Sequence, residues 1–170
     1  MKHTSFFLVY FLLTVAQLLI CNYFHLTPYV TLSILPVMVL CLPIRYSTVA
    51  ALFIAFGTGL SVDLLAEGLL GLNTFALLPV ALVRRPLIRL VFGDEVFARN
   101  EDFSVKKNGF GKVSGAIVIA QALFLALYIW ADGAGTRPFW FNMARFSASL
   151  AAGYILAVIL IDTLAPDSRK

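Results

Sequence analysis

The sequence predicts an all-α integral membrane protein, a compact bundle of about six transmembrane helices with both termini cytoplasmic. Three observations carry that expectation. Hydrophobic residues make up 61% of the 170 and charged residues only 13%, where an ordinary soluble domain has roughly 25% charged residues. With a mean hydropathy of +0.91, a soluble fold of this length has too little interior to hide the apolar surface. Apolar runs recur at lengths near the roughly 20 residues a helix needs to cross a hydrocarbon core. Finally, Lys and Arg sort to one side of the resulting topology, as cytoplasmic loops require.

Residues 6–23 form the first expected span. The second covers 26–44, with Pro36 as an expected kink. The third is 47–66, and the fourth, a short one, is 69–83. The fifth is 113–131 and the sixth 146–161. With a cytoplasmic N-terminus, the inner side receives Lys2, Arg45, Arg84, Arg85, Arg89, Arg99, Lys106, Lys107, Lys112, Arg169 and Lys170, leaving only Arg137 and Arg145 outside. Dropping one span would move the 84–112 cluster or the C-terminal pair to the wrong side. The net charge of +4 is then an orientation signal, and no nucleic-acid partner is expected. The first span is expected to be retained, because no small-x-small cleavage site follows it.

The chain reads as a single polytopic membrane domain over residues 1–170, without internal repeats. Its one sizeable polar piece is a cytoplasmic connection at about 92–112, acidic in its first half and basic in its second. Phe92, Val96 and Phe103 would share one helical face there. The stretch is open to an interfacial helix, a docking segment or a solvated loop. Cys21 and Cys41 each fall within an expected span, with no metal-ligand spacing, and read as small hydrophobes.

Chemistry concentrates in the stretch GTGLSVDLLAEGLLGLN, residues 57–73. Gly59, Asp63 and Glu67 are spaced by four and share a helix face. Asp63 lies ~24 Å along its helix at 1.5 Å per residue, near the outer end. Gly68 to Gly71 supplies a tight reversal, and Asn73 sits in the first turns of the next helix. Asp63 can therefore reach the free N–H groups and positive dipole end of that helix, or bond Asn73. A structural clamp is favoured over a proton or ligand site because Asp63 has no basic partner at matching depth. Substitution of Asp63 by Asn is expected to be tolerated, since an amide still accepts hydrogen bonds. Gly57 and Gly59 are expected to let a neighbouring helix approach, and Ser149 with Gly153 forms a small-xxx-small packing pair.

An enzyme is not expected. Gly59-Leu60-Ser61 resembles the Gly-x-Ser of rhomboid-type intramembrane proteases, but the only histidines, His3 and His25, flank the first span at opposite ends, leaving the serine without a positioned base. No catalytic, cofactor-binding or metal-binding residues are expected, and no cofactor.

The stretch AFGTGLSVDLLAEGLLGLNTFALLPVALVRRPLIR, residues 55–89, resembles the signature of the rod shape-determining protein MreD family. The family pattern is a Gly-rich helix with an Asp near its end, a Gly-rich reversal, and an apolar helix ending in a basic cluster. It is matched at Gly59, Asp63, Leu64, Gly68, Leu70, Gly71, Arg84 and Arg85. The connection at 92–112 departs from it. The resemblance implies a non-enzymatic, multi-pass scaffold of the bacterial cytoplasmic (inner) membrane within the cell-elongation machinery. Its implied partners are an MreC-like bitopic protein and, beyond it, MreB and the elongation penicillin-binding protein with its RodA-type glycosyltransferase. The cytoplasmic basic cluster Arg84, Arg85 and Arg89 could in addition meet anionic membrane lipid. The family is similar in size, span count and hydropathy to the substrate-binding subunits of energy-coupling-factor vitamin importers, so a small-molecule importer subunit is the alternative. Against it, the first helix carries only Ala16 where those subunits have an Ala-x-x-x-Ala docking motif.

Overall fold

The computed structural model describes residues 3–23, 30–93, 109–133 and 136–164. Among them the chain forms α1 (His3–Tyr23), α2 (Leu35–Leu40), α3 (Thr48–Val62), α4 (Leu72–Phe92), α5 (Phe110–Gly133) and α6 (Phe139–Leu164), with no strand. Four helical stretches are long and apolar enough to cross a membrane: Phe6–Tyr23, Thr48–Ala66, Phe110–Gly133 and Phe139–Ile161. This is the character of an all-α, multi-pass membrane protein. Most of the expected connection at 92–112 lies outside the described residues, Val96 and Phe103 of its proposed helical face with it, while Phe92 ends α4.

The five long helices close a ring. α1 packs on α3, α3 on α4, α4 on α5, α5 on α6, and α6 returns to α1, while α2 touches all five from within. All six residues of α2 are buried. The large apolar side chains left uncovered, such as Phe11, Phe53 and Ile159, lie on the long helices.

The region 26–44 differs most from expectation. In place of a continuous, kinked span, the described part is non-helical over 30–34, helical only over Leu35–Leu40, and turns again at 41–46. Pro36 opens the helix instead of bending it, at a position where its missing N–H would have had no intrahelical partner. The segment still runs the length of the bundle. Thr31 lies beside Arg145 and Ser149 near the start of α6, whereas Leu42 and Tyr46 lie beside Arg84 and Arg85 towards the end of α4.

Backbone that is not helical must find its hydrogen bonds elsewhere, and unpaired buried groups are costly in apolar surroundings. Here the surrounding helices supply them as side chains. Gln17 of α1 accepts from Ile34 N at 2.8 Å and donates to Leu32 O at 3.3 Å. Gln121 of α5 donates to Ser33 O at 3.1 Å. Ser149 of α6 accepts from Thr31 N at 2.8 Å. At the other end of α2, Arg84 of α4 donates from Nε to Leu40 O at 3.2 Å and from its terminal nitrogen to Leu42 O. These carbonyls follow the last turn of a helix, where a cation is favoured.

Two other helices depart from the expected limits. The fourth begins at Leu72 and runs on to Phe92 through Pro79 and Pro86, so that Arg84, Arg85 and Arg89 are helical and not in a loop. The sixth begins seven residues earlier than expected, at Phe139.

Ser149 and Gly153 have distinct tasks in α6. Ser149 bonds the unwound backbone, while Gly153 leaves room for the Gln121 amide, into which a Cβ at this position would collide. Gly153→Ala should therefore cost about 1–3 kcal/mol by displacing Gln121 from Ser33 O. The cost should be smaller in a Gln121→Ala background, where the methyl has space. A double-mutant cycle measured by reversible unfolding in mixed micelles checks this; equal costs in both backgrounds would remove the assigned role of Gly153.

Candidate functional site

The only buried carboxylate among the described residues joins α3 to α4. Instead of ending at Val62, α3 passes into a π-helical turn over Asp63–Glu67, closed by a hydrogen bond from Gly68 N to Asp63 O at 3.0 Å. The chain then reverses through Gly68 and Gly71, whose φ values of +68° and +96° are left-handed and favour glycine. Gly71 occupies the N-cap of α4 and has no side chain with which to cap it.

Asp63 supplies that cap from the preceding helix. Its Oδ1 accepts from Asn73 N at 2.8 Å and Asn73 Nδ2 at 3.1 Å. Its Oδ2 accepts from Thr74 Oγ1 at 2.7 Å, Thr74 N at 3.1 Å and Gly71 N at 3.1 Å. The N–H groups of Asn73 and Thr74 are the second and third of α4, the two that a capping side chain normally serves. They also lie at the positive end of the helix dipole. Asp63 is completely buried, and Asn73 nearly so. Five donors on two oxygens leave the carboxylate enclosed and satisfied. The arrangement stabilises a reversal; it presents no open group for acid–base or nucleophilic work.

Gly59 sets the spacing one turn earlier. A Cβ there would stand 2.7 Å from Thr74 Cα, too close for any side chain, so glycine brings the Thr74 backbone against α3. Gly57 does not share this role. Nothing lies within 4 Å of where its Cβ would be, and it faces outward. Ser61 donates to Gly57 O of its own helix at 2.7 Å. The side chains of His3, His25 and Glu67 lie outside what the structure describes.

The expected basic cluster is divided. Arg84 is 1% exposed and holds the C-terminal end of α2, so it is withdrawn from any lipid surface. Consecutive helical residues point about 100° apart, which turns Arg85 to the rim, where it donates to Tyr46 O at 3.2 Å. Arg89 is exposed. The exposed part of the cluster is therefore Arg89 with part of Arg85.

A second polar group was not anticipated from the sequence. Asp132, at the end of α5, pairs with both Arg137, at 2.7 Å, and Arg145. Arg145 also donates to Thr31 Oγ1, from Nε at 3.1 Å and from a terminal nitrogen at 2.9 Å, and lies over the Tyr128 ring. It thus fastens the start of the unwound segment to α6. Within the ring, Thr58 Oγ1 donates to Ile54 O at 2.7 Å, leaving it to accept from Tyr10 OH at 3.1 Å. Among the described residues no group of three or more His, Cys, Asp or Glu could hold a metal ion. Cys21 and Cys41 are not joined.

Comparisons of this chain with family models, with curated proteins and with solved structures find no match. The functional reading therefore rests on the chain's own residues.

The geometry reverses one expectation from the sequence. Replacing Asp63 by Asn keeps a single acceptor oxygen and turns an NH2 group towards donors. At least one buried backbone N–H then loses its partner, at about 1–3 kcal/mol, together with the charge assistance to the others. Asp63→Asn should destabilise by that amount, and Asp63→Ala by about 3 kcal/mol or more, because every donor is orphaned. Unfolding of the two variants in mixed micelles checks the order; an Asn variant as stable as the parent would mean the carboxylate is not the cap.

Proposed function

We propose that this chain is a non-enzymatic scaffold of the bacterial cytoplasmic membrane. It acts in the rod-shape, cell-elongation machinery as a member of the MreD family, docking an MreC-like bitopic protein through helix packing. In this reading the chain passes the bilayer six times with both ends inside. The 30–46 segment, with the short α2 inside it, counts as one pass and α4 as another, and Arg45, Arg85, Arg89 and Lys112 lie at the cytoplasmic end.

The observation that carries the proposal is the Asp63 hairpin. The motif residues Gly59, Asp63, Gly68 and Gly71, on which the family resemblance rests, are each spent on one rigid reversal: close approach, cap and two left-handed turns. A polar motif committed to shape suits a protein that works by presenting a surface. Partner recognition would then fall to the apolar outer faces, where small residues and van der Waals packing decide association within a bilayer.

One observation favours a second reading, a substrate-binding subunit of a small-molecule importer. The central unwound segment, held by Gln17, Gln121 and Arg84, is of the kind that membrane carriers place at their substrate sites. Here the anchoring side chains are engaged with the backbone itself.

Affinity purification from native membranes in mild detergent, with co-purifying proteins identified by mass spectrometry, separates the two. An MreC-like protein with penicillin-binding partners is the expected result. Recovery of an ATPase pair with a coupling subunit would overturn the scaffold and favour the importer.

A further inference from the structure

At one end of the bundle, exposed aromatic side chains stand beside a charged pair. α5 ends and α6 begins around Asp132 and Arg137, and on either side of that charged turn stand Trp130 and Trp140, 69% and 80% exposed. Phe139 packs edge-on to Trp140, and Phe75, the fourth residue of α4, tilts against Trp130 with ring centroids 6.4 Å apart. The contact between Phe75 and Trp130 brings the Gly68–Gly71 reversal to the same end. That reversal carries Leu69 and Leu70, and the π-helical turn before it Leu65, all exposed. At the opposite end of the bundle the exposed side chains include Arg45, Arg89 and Lys112.

We infer that the end bearing the Asp63 hairpin is a membrane-interface surface, with Trp130, Phe139 and Trp140 among phospholipid headgroups and the leucine-tipped reversal inserted at the same level. Indole is amphipathic and settles where apolar chains give way to wet headgroups. The two exposed tryptophans flank the Asp132–Arg137 pair, so a polar layer lies immediately beyond an aromatic one. Exposed apolar side chains such as Phe53 and Ile159 stand on the outer faces of the long helices, four of which hold stretches long and apolar enough to cross a membrane, so lipid is the occupant. The hairpin follows from its contact with Trp130. Asp63 holds the N–H groups of Gly71, Asn73 and Thr74 on the inner side while the leucines are exposed outward, an arrangement suited to a leaflet. This inference is independent of which protein partner binds.

Trp130 and Trp140 are the only tryptophans of the chain, so each can be isolated by Trp140→Phe or Trp130→Phe. The purified variants are reconstituted into phosphatidylcholine–phosphatidylglycerol vesicles. Each indole is expected to be quenched more by lipids brominated near the headgroup than by lipids brominated at the chain end, and little by aqueous iodide. Leu69→Trp in a background lacking both native tryptophans reports the hairpin; Leu69 is 59% exposed, so the indole displaces no core. The same shallow-bromine pattern is expected there. Emission resembling free tryptophan with strong iodide quenching would place the hairpin in water and overturn the inference. Insensitivity to both quenchers would do so as well, by showing that protein, such as a second copy of the chain, covers it.

Discussion

An unwound stretch of main chain at the centre of an apolar bundle must have its polar groups bonded, and the rest of this structure is arranged around that need. Residues 31–34 draw partners from side chains on α1, α5 and α6, and the carbonyls at and just beyond the end of α2 draw theirs from α4. The ring of helices is consequently more than a lipid-facing shell. Its inward polar residues are placed at the heights where backbone donors and acceptors occur. Gln17 serves one of each, using both ends of its amide. A helical second span would have satisfied its own backbone, and Gln17, Gln121 and Arg84 would then have been buried without purpose.

The Asp63 hairpin solves a related problem at the edge of the bundle. The first turn of any helix has N–H groups without partners, and Gly71, needed for its left-handed backbone, cannot cap α4. A carboxylate at the end of the preceding helix takes over, and the π-helical turn that starts from it leads the chain into the reversal. Both polar features share a principle: side chains from one element complete the hydrogen bonding of another. Such bonds are modest in net energy but expensive to leave unmade. They specify one arrangement among many that apolar packing alone would accept.

This distinction accounts for what could be read from the sequence. Four of the expected spans correspond to helices long and apolar enough to cross a membrane, because hydropathy sums side chains and those helices satisfy their own backbones. The glycines at 68 and 71 and the isolated Asp63 likewise marked a reversal and its binding partner, since few physical uses exist for them in an apolar run. The sequence of 26–44 predicts a kinked helix because its side chains are equally apolar in either conformation. The signals to the contrary were Pro36 and Pro43, together with the lone amides Gln17 and Gln121 in otherwise apolar helices, which lacked an evident partner. Arg84 was grouped with Arg85 by adjacency, whereas a rotation of 100° on a helix separates a buried cap from a rim residue.

The central segment also constrains the order of assembly. Thr31 meets Ser149 across 118 residues of sequence, and Ser33 meets Gln121 across 88. During synthesis the segment is made long before α5 and α6, and without them its main-chain groups have no acceptable place in hydrocarbon. It cannot be integrated as an independent unit in the manner of α1. The last of the described helices therefore completes the bonding of a much earlier part of the chain, and loss of α6 would be felt at Thr31.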